Sequence, residues 1–352
     1  MIKMRKIKWG VIGCGGIADR RTIPGMMLSD KIELVAVMDA NKAAAEKVRD
    51  KYGAKYAFDK YEDLLALDEI ECVYVASPVF CHKEQALAVA KAGKQLFLEK
   101  PMALTTEDAE EIKKACADAG VKLGVGFLMR FHGYHQKIKE IIAEGKIGDI
   151  VSMRGQFTCW YPDIEGAWRQ KKALSGGGAL VDMGIHVIDL LQYLSGLEAR
   201  EVVAFNETQT FNYEVDDSSA VIMKMSNGSL AYVDSNFNIP DAASVAKLEI
   251  YGTKGSIIAS GTLAQEEVGT VKILISDDSL GYDANQVRNE IVPLSLDDVE
   301  LGNMYTKEVE QFGEAYLNNT EVPVTADSAI LSQKVVEAAY KSSETKTFVA
   351  VK

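Results

Sequence analysis

Residues 7–18 read Ile7-Lys8-Trp9-Gly10-Val11-Ile12-Gly13-Cys14-Gly15-Gly16-Ile17-Ala18, a short apolar run that breaks into closely spaced glycines. The run fits a buried strand of a parallel sheet, and the small residues after it fit a tight turn that opens a helix. In the pattern Gly-x-Gly-x-x-Ala, Gly13 permits the turn and Gly15 lets the backbone approach a pyrophosphate. Ala18 lets the helix pack closely on the strand. The first N–H groups of that helix suit phosphate oxygens. Alone the pattern is weak; its surroundings strengthen it. A second apolar strand, 32–38, ends at Asp39, where an acid hydrogen-bonds the adenosine ribose hydroxyls. The other use for Asp39 is to cap the helical stretch beginning at 41–43. An acid here favours NAD because it repels a 2′-phosphate, while neighbouring Lys42 keeps NADP open.

Strand and helix signals then alternate. Helical stretches at 44–51, 61–67, 82–92 and 107–119 are interleaved with strands at 71–76, 95–99 and 122–126, and Ser77-Pro78 stops the first of these strands. Such alternation means an α/β fold with a doubly wound parallel sheet. The 95–99 strand runs into Glu99-Lys100-Pro101, at the carboxyl edge where open α/β sheets bind ligands. A lysine there can work on a ligand's oxygen. The plainer reading is a strand-terminating salt bridge. Pro101 is a candidate for a cis peptide bond.

Beyond residue 127 the pattern changes. Strand signals recur at 149–157, 200–211, 220–225, 230–237, 246–251, 256–260 and 271–276, with Asn227-Gly228 and Lys254-Gly255 as hairpin turns. Helical stretches follow at 304–317 and 326–343. The expected division is residues 1–126 for the nucleotide and 127–352 for an α+β half with a largely antiparallel sheet.

Between the first two of those strands lie Trp168-Arg169, the triple glycine Gly176-Gly177-Gly178, and an apolar periodic run holding Asp182 and His186. The glycines open a helix on which residues four apart share one face. An isolated pair of this kind is an ordinary surface Asp–His contact. Beside a glycine loop and a Trp–Arg pair, it reads as part of a site.

The chain resembles the glucose–fructose oxidoreductase / inositol dehydrogenase (Gfo/Idh/MocA) family of nicotinamide-dependent enzymes. The matching pieces are the 13–18 glycine turn, Asp39, Ser77-Pro78 with His82, Glu99-Lys100-Pro101, and Asp182-x-Gly-x-His186. They cover roughly the first 190 residues. Where the family often has asparagine after the Ser/Thr-Pro pair, this chain has Val79. The resemblance implies a Rossmann domain followed by an α+β domain with an open sheet, often used for dimer or tetramer contacts. It also implies that the last helix returns to pack near the first domain.

By that resemblance Lys100, Asp182 and His186 form the catalytic group. The candidate cofactor contacts are Gly13, Gly15, Gly16, Ile17, Ala18, Asp39, Lys42, Ser77, Pro78, His82, Glu99, Lys100, Arg130, Trp168 and Arg169. The candidate substrate contacts are Lys100, Arg154, Tyr161, Asp182 and His186. A histidine with an ordinary pKa near 6.5 suits a general base. Lysine suits holding the reacting oxygen, and Glu99 suits holding that lysine. The expected reaction is hydride exchange between nicotinamide and a secondary alcohol of a sugar, polyol or cyclitol. The alternatives are an enzyme that retains and recycles its NAD, as in oxidation of a sugar at C3, and a non-catalytic nucleotide sensor on the same fold. His132 and His135 read as surface or pocket-edge residues, and Met26 and Met27 as core filler.

Composition narrows the field. The 352 residues carry a net charge of −12 with no basic block, which argues against a nucleic-acid partner. Five scattered cysteines without a CxxC pair argue against disulfides, and four histidines without a cluster give no metal site. The N-terminal basic residues precede too short an apolar run for a secretion signal, and no run has the length of a membrane span. A cytoplasmic homo-oligomer acting on a small polyhydroxylated molecule is the expectation.

Overall fold

The structure is a computed structural model that describes residues 5–276, 282, 284 and 293–352. Its described residues fall into two compact units. The first comprises residues 5–128, Ala173–Gly176 and Asn303–Gln333; the second comprises Met129–Lys172, Gly177–Gly302 and Lys334–Lys352.

In chain order the first part runs β1 Ile7–Ile12, α1 Ile23–Met27, β2 Ile32–Met38, α2 Lys42–Tyr52, β3 Tyr56–Phe58, α3 Tyr61–Leu65, β4 Cys72–Val75, α4 His82–Lys91, β5 Gln95–Glu99, α5 Thr106–Ala119 and β6 Leu123–Gly126. The six strands form one parallel sheet in the order β3-β2-β1-β4-β5-β6. That is the Rossmann order, in which the strand sequence reverses direction at β1 and leaves a crevice between the ends of β1 and β4. Runs such as β4, buried at all four positions, belong to a sheet covered on both faces. The three-residue edge strand β3 carries too little pattern to read from sequence.

The chain continues with α6 Gly133–Ala143, β7 Ile150–Thr158, α7 Lys172–Ser175, α8 Ile185–Ser195, β8 Ala199–Glu207, β9 Ser218–Met225, β10 Leu230–Asn236, β11 Lys247–Gly252, β12 Gly255–Ser260, β13 Thr270–Ile275, α9 Met304–Leu317, α10 Ala326–Thr345 and β14 Val349–Ala350. The second unit's eight-stranded sheet has the order β13-β12-β11-β7-β10-β9-β8-β14. Only the β7–β10 pair is parallel.

Within the first unit α9 lies across the sheet. Phe312 packs on Gly124, where a Cβ would come within 2.5 Å of its ring, and Gly313 packs on Ile7. Phe312 meets Trp9 at 5.7 Å and Phe97 at 5.4 Å between ring centroids. In the second unit α8 lies across β7. Gly155 faces Val187 so closely that a Cβ would overlap Val187 Cγ1.

Three expectations need correction. The strand expected over 200–211 stops at Glu207, because the Asp217 carboxylate accepts the N–H groups of Gln209, Thr210 and Phe211 and takes them out of the ladder. His132 and His135 are wholly buried, in or beside α6, a helix that the sequence reading passed over. Met26 is core, but Met27 is half exposed. Among the described residues, Lys172–Ser195 is the one helical stretch long and apolar enough to cross a membrane, and its most apolar window is 78% buried inside the protein. Replacing Gly155 with alanine should cost about 1–3 kcal/mol of stability through overpacking against Val187, read as a lower thermal midpoint with the fold retained.

Candidate active site

In the first unit the candidate residues begin at the turn after β1. Gly13 has φ +96°, and a Cβ there would lie 2.6 Å from the Ser77 nitrogen. Glycine is therefore required both by the backbone angle and by the contact between the two loops at the switch point. Above Gly15 the space is open, with nothing within 4 Å of where a Cβ would stand. That is the cradle a pyrophosphate needs. The helix beyond starts as a π-turn, Ala18–Thr22, and continues as α1. Ala18 is fully buried against the core.

Asp39 joins this turn to α2. Its Oδ2 accepts the Cys14 N–H at 2.9 Å and its Oδ1 accepts the Asn41 N–H at 2.9 Å. Asn41, not Asp39, is the N-cap of α2. A carboxylate oxygen accepts more than one hydrogen bond, so both oxygens retain capacity for ribose hydroxyls. Lys42 is exposed at the first position of α2. The Cys14 thiol, pushed up to about 12 by burial and by the charges of Asp39 and Asp19, is not a nucleophile.

At the end of β5, Glu99 Oε1 accepts the Tyr74 hydroxyl at 2.6 Å and Oε2 accepts the backbone N–H of Lys100 at 3.2 Å. Tyr74 also meets Thr22 Oγ1 at 3.0 Å. The Lys100–Pro101 bond is cis. His82, expected to touch the cofactor, faces protein instead. Its Nδ1 lies 3.0 Å from the Pro101 carbonyl and its Nε2 lies 2.9 Å from the Ser77 carbonyl. Burial lowers its pKa, and the backbone carbonyls it faces, those of Ser77 and Pro101, offset part of that. The imidazole thus ties the Ser77 loop to the Lys100–Pro101 loop.

In the second unit the candidate residues are built on the triple glycine. Asp216, buried, accepts the N–H groups of Gly178 at 2.8 Å and Leu180 at 2.9 Å and the Tyr340 hydroxyl at 2.7 Å. Burial pushes this carboxyl up, and the three donors offset part of the effect. A Cβ on Gly178 would overlap the Asp216 carbonyl. Leu180–Gly184 then winds as a π-turn, with the Ile185 N–H on the Leu180 carbonyl, before α8 begins. The expected α-helical spacing of Asp182 and His186 is therefore replaced by a wider turn. Gly184 sits where a Cβ would come 2.7 Å from Ser235 Oγ.

Asp182 is half buried, and its Oδ1 faces Arg169 Nε at 3.9 Å. The Arg169 guanidinium lies 4.5 Å from the Trp168 ring. His186 is buried and its ring meets Phe157 at 6.2 Å, edge-on. Tyr161 joins the group: the Arg169 and Asp182 charges both act on its hydroxyl, and its ring packs on Phe237 at 5.1 Å. Phe157, Phe237 and Tyr213 form an apolar wall with Ala179 and Met183. Sequence reasoning missed these aromatics; alternation along β7 would have found Phe157.

Two expected site residues lie elsewhere. Arg154 is on the opposite face of the sheet, over the rings of Tyr232 at 5.4 Å and Tyr251 at 6.0 Å and 3.9 Å from Glu249. Strand residues one apart point to opposite faces, so Arg154 cannot share the Gly155–Phe157 face. Arg130 is buried with Nε 2.8 Å from Asp189 Oδ2 and its guanidinium 5.0 Å from the Tyr193 ring. It has a structural partner rather than an open donor. Burial and His132 lower the pKa of His135 to about 3, and its nitrogens face the Met129 carbonyl and Thr262. Among the described residues no group of His, Cys, Asp or Glu is gathered to hold a metal.

A Rossmann sheet with an open glycine cradle and an acid after β2 is the architecture of a dinucleotide-binding domain. The sequence profile of the oxidoreductase family with an NAD-binding Rossmann fold matches residues 7–127, and that of the GFO/IDH/MocA C-terminal domain matches residues 135–258. The chain belongs to the Gfo/Idh/MocA family of oxidoreductases. It is 30% identical to 1,5-anhydro-D-fructose reductase of Ensifer adhaerens over 267 residues, 76% of this chain and 79% of that protein. It is 27% identical to scyllo-inositol 2-dehydrogenase (NADP(+)) of Bacillus subtilis over 350 residues, 98% and 96% of the two chains. Its fold superposes on the crystal structure of an aldose-aldose oxidoreductase from Caulobacter crescentus complexed with glycerol. The TM-score there is 0.88 at 23% identity, covering 98% of this chain and 100% of that one.

Removing the Tyr340 hydroxyl (Tyr340→Phe) takes one donor from a buried carboxylate and should cost about 1–3 kcal/mol. The shift in denaturation midpoint measures it.

Proposed function

We propose that the protein is an NAD-dependent dehydrogenase or reductase of a sugar, polyol or cyclitol, with Lys100, Asp182 and His186 as its reacting and substrate-holding groups. The observation that carries this reading is the His186 face: an acid, an imidazole and Arg169 gathered beside Phe157, Tyr161 and Phe237. Polar groups on one side and aromatic rings on the other suit a molecule with hydroxyls around an apolar ring of C–H bonds. Asp39 favours NAD, although a relative is named for NADP(+) and Lys42 stands nearby.

When bound, nicotinamide supplies the acceptor or donor of hydride. The chain's own groups handle the oxygen and its proton. The His186 imidazole takes the proton from the reacting hydroxyl and returns it in the reverse direction. Lys100 Nζ donates a hydrogen bond to the same oxygen, where negative charge grows in the transition state. Asp182 accepts a hydrogen bond from a second hydroxyl and fixes which carbon is presented. Gly13, Gly15 and the first N–H groups beyond them hold the pyrophosphate, and Asp39 the ribose.

The open face of the second sheet is read as the oligomer contact. Val203, Ile222, Tyr232 and Arg154 stand in register across four strands of that face. Phe205, Ile222 and Leu230 on it are 66%, 40% and 41% exposed. An apolar patch of this kind suits association of identical chains into a dimer or tetramer. A reducing, cytoplasmic setting suits the five free cysteines.

Lys100→Met should lower kcat by about 10²–10³-fold and His186→Ala by about 10²–10⁴-fold, with NADH binding by fluorescence retained in both. Unchanged turnover of a sugar panel in both variants defeats the reading. The double variant Phe205→Glu, Ile222→Glu should elute as a smaller species than the parent in size-exclusion light scattering; an unchanged mass removes that face as the contact.

A further inference from the structure

Glu308, on the sheet-facing side of α9, is 1% exposed, and neither carboxyl oxygen has a hydrogen-bond partner. It lies one turn before Phe312, which covers Gly124 of β6. The helix therefore carries Glu308 toward the carboxyl edge of the sheet, where Glu99 ends β5. Glu99 is supplied with donors, from Tyr74 and from the Lys100 N–H. Glu99 acts on Glu308 from β5 and the Tyr74 hydroxyl interacts with its charge from β4; among the described residues no cation is seen to act on Glu308.

We propose that Glu308 is held as a protonated acid near ionised Glu99, so that Glu99 keeps its grip on the Lys100 backbone. Glu308 is thus a positioning residue for Lys100, a role that rests on the catalytic reading of that lysine. Two carboxylates buried together cannot both ionise at modest cost, and they titrate as a pair. The charge settles on the carboxyl with donors. If Glu308 also loses its proton, repulsion between the two carboxylates displaces Glu99, and the Lys100 N–H loses its acceptor.

The pH dependence has a definite sign. Burial, and then the Glu99 charge, raise the Glu308 pKa well above its usual value. The folded chain therefore binds a proton that the unfolded chain has already released. Stability from this group is highest below the unfolded glutamate pKa and falls as pH rises toward the folded one.

The test compares the parent with Glu308→Gln, an uncharged isostere of the protonated acid, and with Glu308→Met in case the amide does not fit. The expected infrared spectrum of the parent at neutral pH contains a protonated-carboxyl carbonyl band that is lost in a variant. The parent should lose stability with rising pH more steeply than the variant. Its kcat should show an alkaline limb that the variant lacks, with NADH affinity unchanged. No band attributable to Glu308 overturns the proposal. A band together with superimposable kcat profiles overturns the positioning role and leaves a structural acid. Failure of the Lys100 reading shows separately, as normal turnover in Lys100→Met, and leaves the infrared and stability results standing.

Discussion

The second unit's candidate residues hang from one buried carboxylate. Asp216 holds three consecutive residues of the glycine loop: Gly178 and Leu180 through its side chain, and Ala179 through its carbonyl. Taking a carboxylate out of water costs several kcal/mol. Hydrogen bonds to a charged group return roughly 1.5–3 kcal/mol each, so three donors are about what such a burial needs. The bonds also fix direction. Gly178 lies flat on Asp216 because no side chain fits between them, and the chain leaves the loop aimed along the π-turn that carries Asp182.

The two units use one device twice. In each, a glycine presses its Cα onto the backbone of a neighbouring loop, Gly13 onto Ser77 and Gly178 onto Asp216. In each, the helix that follows opens with a π-turn before settling into α geometry. A π-turn offsets every later side chain relative to a regular helix, and such turns occur often at functional sites. The difference lies in what each loop offers. The first presents bare backbone and open space, suited to phosphate oxygens. The second presents side chains, suited to hydroxyls.

Much of this was legible because it is local. Gly-x-Gly-x-x-Ala, the acid after the second strand, and Lys100-Pro101 at a strand end are short-range patterns whose geometry follows from covalent limits on the backbone. The strand–helix alternation named the sheet, although β3 was too short to register. The α6 helix was missed even though Ile138, Ile141 and Ile142 carry its periodicity. The donors to Asp216 and the acceptors around His82 come from residues distant in sequence, and no local signal marks them.

Arg154 and Glu308 show what composition-based choice overlooks. Arg154 is a candidate substrate contact by sequence, yet position decides a strand residue's face. Gly155 is pinned under Val187, so Phe157 must point toward α8 and Arg154 away from it. The same parity puts Phe157, Cys159 and Tyr161 among the apolar neighbours of Ala179, Met183 and Phe237. For Glu308 the error would run the other way, because an acid on an amphipathic helix reads as a solvated residue. Its neighbours Tyr305, Val309 and Phe312 are all buried, and the face they define includes it. A charged residue type on the apolar face of a helix conflicts with its surroundings, and such conflicts concentrate where a fold serves chemistry rather than stability alone. The Glu99 that accepts the Lys100 N–H is also the charge that acts on this misplaced acid.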